Sequence, residues 1–470
     1  MNKHKRIVKN QITGNTAYLY LVMIFICILI FFVLGRNRGY VLYKDSVAYT
    51  ADDMYRAFGF GIMPGYYFFV KMVRSVFGEE LYLNIVAIIQ GVLASVSTLC
   101  FTMYVRKEFK LDFKDTIIVF LFSVIPYCYS LPEEVATHAI MTESIAFPLF
   151  YVFVTLALKG LYNKSSLYAF FSLICAIVLV FIRKQHILLF FVSLVLLVFI
   201  AINKSKFDVK RLKLLCFIGI FAAVSVLFIS YVYLYPQKHN ASFDQITYSF
   251  TSKVIYMSDE ADADQYIDQD EKNIFELLYK HAESEKMLYS YAEESGDFRW
   301  RHAINGMNYT MRSVWKDVIT YCRDNGYPDN YTMVLMKGVL FRQIKIHPLR
   351  FIYIICIPMG QSLISAIFIK PDKIYYLCAI ISALLYITSF CICIRNRKDN
   401  DKRPYNLYVF TMLILVLNIV SLNILFQSLQ RYVVYTAGLF YVAVYINILH
   451  IMRNTSKNHL GKEYISEVNS

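Results

Sequence analysis

Charge is scarce in this chain. Of its 470 residues, 17% are Asp, Glu, Lys or Arg and 57% are hydrophobic, where soluble domains carry about 25% charged and about 45–50% apolar residues. Mean hydropathy is +0.46. These values exclude an ordinary soluble enzyme and a disordered chain. There is no glycine-rich phosphate loop, no GxSxG and no HExxH, so no familiar nucleotide, serine-hydrolase or zinc-protease motif is written into it. The ten cysteines form neither a disulfide framework nor a zinc spacing. Most lie in or at the ends of apolar blocks, only Cys322 falls in a polar segment, and Cys391-Ile-Cys393 reads as packing. No internal repeat and no low-complexity tract is visible.

What is present is a series of apolar blocks of about 20 residues, the length that spans a hydrocarbon core of roughly 30 Å. Eleven lie near 17–34, 81–104, 116–131, 139–158, 166–182, 187–202, 212–235, 350–369, 374–394, 405–426 and 432–452. The expected fold is an all-α polytopic membrane protein with about 10–12 transmembrane helices. Residues 1–235 form an N-terminal transmembrane module including a first outer loop over 35–80, residues 236–349 a mainly helical extracytoplasmic domain, and residues 350–470 a C-terminal transmembrane module. The run over 17–34 is too long for a signal-peptide core and no small-residue cleavage site follows it, so it reads as a retained span.

The net charge of +14 is unevenly spread: residues 236–349 carry 17 acidic and 13 basic side chains, a net of −4, which leaves +18 elsewhere. That excess sits mostly in short loops, as the positive-inside bias requires. It argues against nucleic acid and for membrane lipids as the partners of these cations. Lys3, Lys5, Arg6 and Lys9 place the N-terminus in the cytoplasm, and the cluster Arg106, Lys107, Lys110, Lys114 follows on the same side. The loop over 132–143 has no Lys or Arg and faces outward. Two crossings between 350 and 394 would put the cations Arg395, Arg397, Lys398, Lys402 and Arg403 outside. Either the segment 350–369 is re-entrant or interfacial, its interior Pro358, Gly360, Gln361 and Ser362 fitting an irregular segment shielded by protein, or the number of crossings upstream differs by one. The multi-pass protein belongs to the inner or plasma membrane.

Polar side chains near the outer surface are the candidates for chemistry. The first outer loop carries Asp45, Ser46, Tyr49, Asp52 and Asp53, followed by Pro64 and a helix whose Phe68, Phe69, Met72, Val73 and Val76 suit a membrane interface. An acid held there can act as general base on an acceptor hydroxyl; the alternative is three ordinary loop acids or caps. The second outer loop carries His138 and Glu143. A carboxylate at the start of an apolar span faces a cavity or partner, or sits on the dipole of its own helix. His138 and Glu143 stand in no recognised metal spacing. Arg183 and Lys184 form an outer turn with Gln185 and His186, where two cations oppose the charge bias. An anionic ligand would account for them, as would snorkelling to headgroups. Asn423, Gln427, Gln430, Arg431, Tyr432 and Tyr435 stand at the last outer turn, where Asn423, Gln427 and Arg431 make a polar stripe; helix–helix hydrogen bonding with an aromatic belt is the alternative to a site. The acidic run from Asp259 to Glu271 lacks the glycine and the terminal glutamate of an EF-hand and reads as a solvated surface.

Taken in order, Asp45-Ser-x-x-Tyr49, Met63-Pro64-Gly65-Tyr66-x-x-Phe69, Met141-Thr142-Glu143-Ser144, Ile182-Arg183-Lys184-Gln185 and Gln430-Arg431-Tyr432 resemble the GT-C glycosyltransferases, the class containing protein O-mannosyltransferases and aminoarabinose transferases. The resemblance covers roughly residues 1–200 and the last hairpin, and nothing in 236–349. It implies a sugar donor carried on polyprenyl phosphate, an extracytoplasmic active site, and a glycan, lipid or protein as acceptor. By resemblance Asp45 is the catalytic base, Glu143 orients the acceptor or helps bind it, and Arg183 and Arg431 meet the donor phosphate, with Tyr49, Asp52, Asp53, His138, Lys184 and Tyr432 lining the substrate. It implies no firm cofactor and leaves a divalent metal open. The family often places two acids together in the first loop. In this sequence the next acids after Asp45 are Asp52 and Asp53, so either is an alternative base. Two other classes stay open: a Wzy-type polysaccharide polymerase or ligase working through arginines, and a polysaccharide transporter or flippase. The latter calls for mid-membrane charges that are not seen, since Gln90, Gln361, Asn418 and Asn447 are the deepest polar groups.

Overall fold

The computed structural model describes residues 17–33, 39–43, 46–52, 63–128, 136–203, 217, 221, 224–228, 245–292, 294, 299–328, 330–368, 374–425 and 433–468. Among them there is no β-strand, only one isolated parallel bridge between Val41 and Ala139. In chain order the main helices are α1 (Ala17–Val33), α2 (Ser46–Thr50), α3 (Pro64–Phe109), α4 (Phe113–Val124), α5 (Glu143–Asn163), α6 (Ser166–Ile182) and α7 (Ile187–Asn203). Four helices of the polar segment follow: α8 (Gln245–Tyr256), α9 (Gln269–Ser284), α10 (Arg299–Asp324) and α11 (Tyr331–Ile346). The chain closes with α12 (Pro348–Ser365), α13 (Tyr375–Asn396), α14 (Arg403–Leu425) and α15 (Tyr435–Val468).

Six of these helices contain stretches long and apolar enough to cross a membrane: α3, α5, α12, α13, α14 and α15. Three shorter apolar helices, Ala17–Val33, Ser166–Ile182 and Lys184–Ile200, accompany them. The protein is thus an all-helical membrane protein. Its large exposed side chains fit that reading, since Phe25, Val195, Ile380 and Phe390 are open on the outside of the apolar helices and need lipid rather than water around them. The block over 212–235 lies almost wholly outside the described residues.

Helix α3 shows how local sequence sets the architecture. Pro64 occupies its first turn, where a missing N–H costs nothing. The helix breaks at Gly78, whose φ of 74° and ψ of 173° are non-helical. The segment before the break is helical as expected, but its faces divide differently from the simple stripe. Val70 and Val73 point into the core with Tyr66 and Tyr67, while Phe68, Met72 and Val76 face outward. Both faces carry apolar side chains, so hydrophobicity alone does not separate them. Helix α12 is also regular, in contrast to the irregular segment that is one of the two readings of 350–369. It is continuous through Pro358, which membrane helices tolerate when neighbours satisfy the freed backbone groups.

The polar segment has a core of its own, in which Ile255, Phe275, Leu278, Val318, Met336 and Val339 meet. A second cluster, with Phe250, Val254, Leu340, Ile354 and Ile357, joins it to α12. It is also pinned to α14: Lys253 Nζ, almost fully buried, donates to the Asn423 carbonyl at 2.7 Å. Burial pushes the Lys253 ammonium down to about 8.

Candidate functional site

The segment between the end of α1 and α2 is tied by backbone to the segment just before α5. Val41 N–H donates to the His138 carbonyl at 2.9 Å, and Ile140 N–H donates to the Val41 carbonyl at 3.0 Å. The Ser46 hydroxyl, fully buried, donates to the Ile140 carbonyl at 2.8 Å and accepts from Tyr43 N–H at 2.8 Å. The Asp-Ser-x-x-Tyr segment therefore lies against the start of the Met-Thr-Glu-Ser segment, although 94 residues separate Ser46 from Ile140. Asp45 and Asp53 lie outside the described residues, as do Arg431 and Tyr432.

Glu143 opens α5 and is buried. Its Oε1 is 2.7 Å from Arg183 Nη1, with the two side chains 3% and 12% exposed. The Thr142 hydroxyl donates to Glu143 Oε2 at 2.9 Å. Arg183 sits where α6 ends: its N–H closes on the Leu179 carbonyl at 2.8 Å while its own φ of −158° is extended. That abrupt exit turns the guanidinium back toward the top of α5. A lone carboxylate at this depth would cost several kcal/mol, and the opposite charge offsets it only with good geometry and additional hydrogen bonds.

Aromatic and amide side chains wall this pair. Tyr66 OH donates to Gln90 Oε1 at 2.7 Å, and Gln90 Nε2 donates to the Thr137 and Ala139 carbonyls at 2.8 and 3.1 Å. Tyr49 packs edge-on against Tyr66 with centroids 4.9 Å apart. Beyond Arg183, the buried His186 packs edge-on against Tyr435 at 5.3 Å. Gly65 brings α3 to the same place: a Cβ there would come within 2.7 Å of the Phe181 carbonyl oxygen, so only glycine lets the two backbones approach this closely.

The other expected site residues are placed as follows. His138 has its two ring nitrogens 3.0 Å from the Gly39 carbonyl and 2.8 Å from the Phe31 carbonyl, which clasps the first loop to the end of α1. Asp52 is 84% exposed and pairs with Lys71 at 3.0 Å and Arg74 at 2.6 Å. Its carboxyl is held below the usual range, first by the Lys71 hydrogen bond and then by Arg74. Lys184 begins the short turn after Arg183. The structure thus brings Tyr49, Glu143, Arg183 and Lys184 to one end of the helices and leaves Asp52 on the surface with two cations.

Compared with protein-family models, curated proteins and solved structures, the chain gives no match in any of the three.

Tyr66, Gln90, His186 and Tyr435 had no individual site role in the sequence reading, although Tyr66, His186 and Tyr435 stand in segments it singled out. Gln90 carried a usable signal, because an amide inside an apolar run must find partners within the protein. The tyrosines carried a signal only through the segments they stand in, since residue type says little in a chain with 39 of them. Metal-capable side chains group elsewhere. Among the described residues, Asp259, Asp262 and His347 bring three ligand atoms within 4.8 Å of one another. Arg350 already holds Asp259 at 2.6 Å, and His347 bonds Asp262 at 2.9 Å.

Proposed function

We propose that the protein is a membrane glycosyltransferase that moves a sugar from a polyprenyl-phosphate donor to an acceptor hydroxyl outside the cytoplasm. The observation that supports this reading is convergence. Four short segments, around Ser46, Gly65, Glu143 and Arg183, meet at one end of the helices through the Ser46–Ile140 hydrogen bond, the Gly65–Phe181 approach and the Glu143–Arg183 pair. The same four carry the resemblance to the GT-C class. With the N-terminus in the cytoplasm and about ten crossings, that end is extracytoplasmic.

In this reading Asp45, one residue before the anchored Ser46, takes the proton of the acceptor hydroxyl as its oxygen attacks the anomeric carbon. The bond from that carbon to the phosphate oxygen breaks, and polyprenyl phosphate leaves with the electron pair. A single displacement inverts the anomeric centre. Arg183 meets the growing negative charge on the phosphate. Glu143 then acts mainly by fixing the guanidinium, a positioning role that replaces the acceptor-orienting role implied by resemblance.

The test uses membranes containing wild-type or Asp45→Asn protein and radiolabelled polyprenyl-monophosphate sugars, with loss of label from the lipid as the readout. The expected result is turnover by wild type and a fall of at least about a hundredfold in the variant, the usual worth of a general base. Full activity in Asp45→Asn overturns the base assignment. No turnover of any monophosphate sugar, with extension of diphosphate-linked glycans instead, moves the function to a polymerase.

A further inference from the structure

A second feature lies at the opposite end of the helices. A cavity of about 620 Å³ runs between α7 and α14 and reaches the end of α5. Its floor is Val192, Leu196, Ile200 and Phe410, all buried, and its rims are Val195, Phe199, Val409 and Leu413, all exposed. It is a trough open to the side. Two polar side chains line it, Lys164 and Asn406, and they share one end. Lys164 is the left-handed C-cap of α5, with φ of 48°. Tyr162, two residues earlier, donates to the Arg403 carbonyl at 3.0 Å, which sets the end of α5 beside the start of α14. Because α7 runs toward this end and α14 away from it, the walls from Val192 to Ile200 and from Asn406 to Leu413 run side by side. Each is about 10–12 Å long at 1.5 Å per residue, most of one leaflet's hydrocarbon depth of roughly 15 Å.

The charge at the polar end favours one occupant. Among the described residues Lys164 makes no ion pair. Arg397, Lys398 and Lys402 precede α14 and are exposed. The chain following α7 carries Lys204, Lys206, Lys210, Arg211 and Lys213. A long apolar trough capped by an uncompensated ammonium and an amide matches a molecule with an acyl chain and a phosphate. We propose that this trough binds an anionic phospholipid from the leaflet at the cation-rich end, its acyl chain along α7 and α14 and its phosphate on Lys164 and Asn406. This site is separate from the Glu143–Arg183 end and independent of the glycosyltransferase reading.

The experiment is native mass spectrometry of the full chain in detergent, titrated with phosphatidylglycerol or with phosphatidylcholine of the same acyl chains. For wild type the expected result is about fivefold tighter binding of phosphatidylglycerol, the worth of one lysine at an anionic surface. Lys164→Gln brings phosphatidylglycerol to the phosphatidylcholine level. Val195→Trp, at an exposed rim position where folding is undisturbed, fills the trough and weakens both lipids. Lys398→Gln, at the same end but outside the trough, leaves the preference intact. Equal binding of the two lipids by wild type, a preference that survives Lys164→Gln, or an equal loss in Lys398→Gln would each overturn the proposal.

Discussion

The two ends of the helices solve the same problem in opposite ways. Both hold carboxylates at helix starts with arginines beside them. At the Glu143 end a carboxylate meets a guanidinium, both nearly sealed from solvent, with tyrosines around them. At the other end the charges form an open network. Arg453 reaches Asp115 at 3.0 Å, Arg403 reaches Asp401 at 2.7 Å and Glu108 at 3.1 Å, and His450 reaches Asp399 at 2.9 Å. The two arginines there are 41% and 39% exposed, and a cavity of about 240 Å³ opens among them. Solvated networks tie loops together at little net cost. A sealed pair is a poor way to gain stability, so its presence points to a demand other than folding. That contrast sets apart the end where chemistry is proposed.

The comparison can be broken by mutation. The largest effect is expected from Arg183→Met, which strands the Glu143 charge in a sealed site. It should lower stability by about 3–5 kcal/mol, read as loss of the melting transition in detergent, whereas the double variant Glu143→Gln, Arg183→Met should recover most of it. No recovery would mean that the guanidinium acts through packing rather than by compensating charge. Arg403→Met removes a pair with the open Asp401 that water can partly replace, and a cost of about 1 kcal/mol or less is expected in the same melting assay. A cost as large as that of Arg183→Met would erase the distinction between the ends. The smallest effect concerns Asp52. Its carboxyl is held below the usual range by Lys71 and then Arg74, so any stability it contributes is present above the unfolded value, about pH 4, and is lost as pH falls through the lower folded value. The melting difference between wild type and Asp52→Asn should stay flat from pH 7 to about 4 and shrink only below. A change between pH 5 and 7 would point to a different partner.

Much of the fold was legible because it follows from unbroken apolar length. The blocks at 166–182, 187–202 and 374–394 became helices with nearly the same bounds. Helical periodicity in the polar segment also held: Ile274, Leu278, Met333, Leu335, Met336, Val339 and Leu340 are all buried, while Leu277 is half exposed. The regularity of α12 was not legible, because proline and glycine in a membrane helix weaken the pattern without fixing the outcome. The site was legible only as separate polar residues. Glu143 and Arg183 were each singled out for lying at the wrong depth or on the wrong side for a charge, but nothing periodic links positions 40 apart, and two open alternatives, dipole and headgroup, stood for a partner that was the other residue. The Lys253–Asn423 bond had no trace in the sequence for the same reason.

Gly78 carries a consequence of another kind. Unbroken, the 46 residues of α3 would extend about 69 Å, more than twice the hydrocarbon thickness. The break at φ 74° and ψ 173° lets the first part turn aside before the second part descends. A side chain at Gly78 would meet nothing within 4 Å, yet that backbone region is essentially closed to every other residue type. Mutational tolerance at this position should therefore be governed by torsion alone. Among natural variants of the chain, Gly78 is expected to be fixed while its spatial surroundings drift, a pattern that neither burial nor contact with substrate would produce.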